Sequence, residues 1–91
     1  MIKKGEGFKN YKDFEREIFL IRDNNPNPNV WISDVIGYYQ SQIEILFRDA
    51  IDNKTAQKIN RDVLRLIKNL YREAESELSD DVKLLYELTM K

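Results

Sequence analysis

Both prolines of this 91-residue chain stand two positions apart, in the run NNPNPN from Asn24 to Asn29. Each lacks a backbone N–H and pushes the residue before it out of helical geometry, so the run ends one helix and starts another. On either side of it, apolar residues recur at steps of three and four, the period of an amphipathic helix. No alternating stretch competes as a strand.

The first helix is predicted over Tyr11 to Asp23, with Asn10 as N-cap. Tyr11, Phe14, Ile18 and Ile21 share one face, which Phe19 and Leu20 widen. The second helix starts after either Asn29 or Ser33 and ends near Asp52. Its stripe is Ile32, Val35, Ile36, Tyr39, Ile43, Leu46, Phe47 and Ala50. Gly37 interrupts it at a cost of about 1 kcal/mol against alanine. That implies close packing against a neighbouring helix or the approach of a partner to the backbone. The short connection DNKT favours an antiparallel hairpin with a third helix, predicted over Thr55 to Ser76. Its seam, Ala56, Ile59, Val63, Leu66, Leu70 and Ala74, has near-heptad spacing. A shorter fourth helix follows Ser79 as N-cap, with Asp80 and Asp81 at the positive end of its dipole and Val82, Leu85 and Tyr86 turned inward. The expected fold is all-α: one helical domain over 1–91, a compact bundle of three main helices plus a short C-terminal helix. Residues 1–9 are expected to form a flexible N-terminal arm.

Composition narrows the function. The chain has no histidine and no cysteine, which removes disulfides, thiolate chemistry, imidazole bases and sulfur-type zinc sites. Only carboxylate pairs remain as a basis for catalysis. Asp49 with Asp52 and Glu73 with Glu77 are one helical turn apart, but no third carboxylate is placed to complete a metal site. We therefore expect no enzyme, no catalytic residue, no bound metal and no cofactor. The amino terminus lacks the apolar core of a signal peptide, and no apolar run reaches the ~20 residues of a membrane span, so a cytoplasmic protein without membrane partners is expected.

The strongest functional signal lies on the third helix. Lys54, Lys58, Arg61, Arg65, Lys68 and Arg72 recur at steps of four and three, which places them within a band about 80° wide. A solvated face normally mixes signs to gain i,i+4 pairs, and this line holds no acid, although Asp62, Glu73 and Glu75 border it. Three readings follow: a solvated outer face, a contact for a protein partner with an acidic surface, or a track for nucleic-acid phosphates. The basic arm, Lys3, Lys4, Lys9 and Lys12, suits the last reading. A formal net charge of −1 and acids on every other helix disfavour it. The third-helix seam also suits a homodimer.

Trp31 and Tyr38 complete the candidate partner-binding set. Trp31, the one tryptophan, either plugs the open end of the bundle or stands out as an anchor for a partner. Tyr38 and Tyr39 point about 100° apart, so Tyr39 is expected in the core and Tyr38 near the surface, as a boundary residue or an anchor. A small binding protein of the immunity, antitoxin or phage-encoded inhibitor type is the expected class.

Overall fold

The computed structural model describes residues 10–50 and 52–90, and the arm expected over 1–9 lies outside them. The described residues form four α-helices, α1 (Tyr11–Asn24), α2 (Pro28–Asp49), α3 (Asn53–Ala74) and α4 (Asp80–Met90). A single 3-10 turn, Glu75–Glu77, joins the last two, and no strand occurs among the described residues.

Side-chain caps set most of the boundaries. Asn10 and Asp13 form a reciprocal capping box at α1: the Asn10 Oδ1 accepts the Asp13 N–H at 3.0 Å, and an Asp13 carboxylate oxygen accepts the Asn10 N–H at 3.4 Å. At the other end, the Asn25 amide donates to the Ile21 carbonyl at 3.0 Å. Asn27, rather than Asn29 or Ser33, caps α2, accepting the Asn29 N–H at 3.0 Å. Pro28 then takes the first helical position, where a missing N–H costs nothing. Asn29 is committed elsewhere. Its Oδ1 accepts the Ser79 N–H at 2.7 Å and its amide donates to the Glu77 carbonyl at 3.3 Å, fastening the entrance of α4 to the start of α2. The Ser79 hydroxyl in turn accepts the Val82 N–H at 3.4 Å. α2 stops at Asp49, and Asp52 belongs to α3 as its N-cap.

α2 is the hub. α1 runs antiparallel to it, with Phe14 edge-on to Tyr38 at 5.9 Å between ring centres. α3 returns antiparallel along another side, tied by the Tyr39 hydroxyl donating to the Asn60 Oδ1 at 2.6 Å. α4 lies parallel to α2, from the Asn29–Ser79 bond to that between Gln40 and Thr89. One apolar cluster joins all four, with Phe14, Ile18, Ile32, Val35, Ile36, Leu46, Val63 and Ile67 fully buried.

Several expectations for individual residues change. Leu20 is 48 % exposed, and Phe47 is exposed because α4 ends opposite Gln40 and leaves the last turns of α2 without that neighbour. On α3, Ile67 is buried where the heptad reading placed Leu66, which is half-buried. Seven residues fall about 20° short of two full turns, so the heptad step from Ile59 carries Leu66 toward the edge of the face, and Ile67, four after Val63, lies inside it. The seam is spent inside the chain: Ala56, Ile59, Val63, Leu70 and Ala74 are all buried, which leaves it no free face for a homodimer.

Gly37 is not a close-packing site. A Cβ built there meets nothing within 4 Å, and the residue is exposed. Gly37→Ala is therefore expected to stabilise the fold by about 1 kcal/mol, by removing backbone freedom from the unfolded chain. Thermal denaturation should show a Tm higher by roughly 4–8 °C. A lowered Tm would contradict an open face at this position.

Candidate partner-binding surface

Lys54, Lys58, Arg61, Arg65, Lys68 and Arg72 are all exposed, and the regular geometry of α3 sets them in a line opposite its buried seam. Asp62 reaches into this line from its border. Its carboxylate lies 3.6 Å from the Lys58 Nζ and 3.9 Å from the Arg65 Nη1. Such exposed pairs contribute about 0–1 kcal/mol. Arg61, Lys68, Arg72 and Lys54 make no ion pair among the described residues.

Part of the stripe borders something that periodicity did not reveal. Between α3 and α4 lies an open groove of about 370 Å³, lined by Arg61, Leu64, Arg65, Lys68, Tyr86 and Met90. Its cations come from the stripe and its apolar part from both helices. Tyr86 is held in place by Tyr71, the rings stacked at 3.6 Å with planes 4° apart. Burial pushes both phenols above the ordinary tyrosine range, and Glu75 adds to this at each ring. The groove is thus polarised along its length: cationic where Arg61, Arg65 and Lys68 stand, with Glu75 and Glu87 near the tyrosine pair. An anionic ligand is favoured only at the cationic end.

The aromatic candidates sit elsewhere. Trp31 is 7 % exposed, packed into the core at the end of α2 that faces the α4 entrance. It fills that end and offers no surface to a partner. Tyr38 is half-buried against Phe14, and its hydroxyl is buried without a hydrogen-bond partner among the described residues. Burial, seconded by the carboxylates of Glu17 and Asp13 and opposed by Arg16, pushes this phenol up to about 12. A hydroxyl enclosed in this way is not an exposed anchor.

The carboxylate pairs also come apart. Asp52 is occupied as a cap, accepting the Thr55 N–H at 2.7 Å and the Thr55 hydroxyl at 3.0 Å, and these bonds hold its carboxyl below the usual range. Asp49 lies on the other side of the hairpin turn, 3.3 Å from the Arg48 guanidinium. Glu73 and Glu77 are split by the end of α3 at Ala74. Among the described residues no three acidic side chains are grouped to hold a metal ion, and no helix is long and apolar enough to cross a membrane.

No family model matches the chain, and neither the curated proteins nor the solved structures yield a match, so a functional reading rests on this surface alone.

Proposed function

We propose that the protein is a non-enzymatic, cytoplasmic binding module that inhibits or regulates a partner protein by occupying one of its functional surfaces, in the manner of an immunity protein, an antitoxin or a phage-encoded inhibitor. The observation that carries this reading is the junction of charge and apolar surface: Arg61, Arg65 and Lys68 stand exposed around Leu64, Tyr86 and Met90. Cations that serve solubility need no apolar groove beside them. The complementary partner presents acidic side chains around an apolar anchor, a pairing that gives specificity and speeds encounter. Lys54 supports the same reading. It lies in the first turn of α3, where the helix dipole disfavours a cation, so helix stability does not account for its place.

The test is affinity capture from the native host. Arg61→Glu with Arg65→Glu is expected to abolish partner capture and leave the helical circular dichroism unchanged, because both side chains are exposed. Capture equal to wild type would remove the stripe from the reading. The linear spacing of the six cations keeps one other reading in play, a nucleic-acid-binding regulator. Duplex DNA binding that falls steeply with salt would favour it, and no binding at about 50 mM salt would dismiss it.

A further inference from the structure

The outer face of α4 is unpartnered and has a distinct chemistry. At about 100° per residue, Val82, Leu85, Tyr86 and Thr89 fall on the side turned to the bundle, and Leu84 and Leu88 fall on the side away from it. Leu84 is 55 % exposed and Leu88 59 %, the highest values among the exposed large apolar side chains. One turn apart, they form a ridge. Asp80, Asp81 and Glu87, all exposed, flank it, while Lys83 is half-buried and falls toward the groove. The neighbouring groove has a different character, with Leu64, Tyr86 and Met90 as apolar lining and Arg61, Arg65 and Lys68 as the cations of one end, while Glu75 and Glu87 stand near its tyrosine end.

An apolar ridge bordered by acids and an apolar groove bordered by bases are chemical complements, and this chain carries both. We propose that a second copy of the chain occupies the groove. Leu84 and Leu88 of one copy seat against Leu64, Tyr86 and Met90 of the other, and Asp80, Asp81 and Glu87 meet Arg61, Arg65 and Lys68. Ridge and groove both border α4, and in a twofold arrangement each copy offers both to the other. Each contact is then made twice, and the assembly closes as a dimer. This interface is separate from the α3 seam, which the core already consumes. The dimer does not depend on the partner-binding reading above, but it draws on the same Arg61 and Arg65. Self-association therefore covers the cationic face, and an acidic partner competes with it.

Sedimentation velocity of the full chain over a concentration series up to about 1 mM provides the test. The mass should rise from one chain to two, and added salt should weaken the association. Leu84→Ser with Leu88→Ser should raise the dissociation constant by at least about tenfold. A second pair of variants carries the decisive control. Arg61→Glu with Arg65→Glu takes the groove from three positive charges to a net negative one, and Asp81→Lys with Glu87→Lys takes the ridge from three negative charges to a net positive one. Each alone should self-associate less than wild type, and an equimolar mixture should recover a dimer, since both contacts are then complementary again. A wild type that remains a single chain throughout the series, a leucine variant that dimerises as wild type does, or a mixture that fails to recover would each overturn the proposal. Host-partner capture by the leucine variant separates the two readings: it persists if only the dimer is lost.

Discussion

Trp31→Ala is expected to destabilise the fold by about 3–5 kcal/mol, the range for removing a large buried aromatic. A domain of this size has in total only about 5–15 kcal/mol. The indole is buried at the end of the bundle where α2 begins and α4 enters. Urea denaturation followed by circular dichroism at the helical band measures the loss directly, since the variant has no tryptophan left to report by fluorescence. An unchanged midpoint, accompanied by loss of partner capture, would instead identify Trp31 as a contact residue. Destabilisation with residual capture at low temperature is the expected pattern.

Tyr38→Phe should change stability in the opposite direction. It keeps the ring packed edge-on to Phe14 and deletes a buried hydroxyl without a partner among the described residues, a group whose burial costs about 1–3 kcal/mol. A gain of about 1–2 kcal/mol at neutral pH is expected. The alkaline side adds a second signature. Folding raises the phenol from the ordinary value of 10.0 to about 12, so the native state favours the neutral form. The associated stability is fully present below the unfolded value, and it is lost as pH climbs between those two values. The phenylalanine variant lacks this contribution and should lose less stability over that window, with the remaining slope coming from Tyr11, Tyr39, Tyr71 and Tyr86, whose phenols are also raised. Denaturation midpoints of both proteins at neutral pH and across the alkaline window check the two signatures.

What could be read from the sequence and what could not divide along a physical line. Helix identity, the Asn10 and Ser79 caps and the cationic line of α3 depend on residues within a few positions of one another, and local spacing reveals them. The start of α2 misled because the asparagines of NNPNPN are locally equivalent. Asn27 caps the helix, and Asn29 is engaged instead with Glu77 and Ser79 far along the chain. Phe47 and Leu20 read as core because periodicity reports a face and not whether another helix covers it. The groove was invisible for the same reason. Leu64 and Met90 lie far apart in sequence, and they become one surface only when α4 folds back along α3. Tyr86 was expected inside. Its stacking on Tyr71 could not be anticipated, as no spacing rule links the two.

The Asn29 clamp bears on when that surface exists at all. It joins groups 48 and 50 positions apart, so its closure carries the entropy cost of a long loop. Among the described residues α4 contributes one buried side chain, Val82, against six from α2 and seven from α3. It has the fewest buried side chains of the four helices, and segments with few buried contacts are the ones that open locally at the lowest cost. Such an opening removes Tyr86 and Met90 from the groove and carries the leucine ridge away with them, while the cations of α3 stay in position. Detachment of α4 would leave the charge of the molecule unchanged and remove its apolar contact surface, and the two Asn29 hydrogen bonds oppose it.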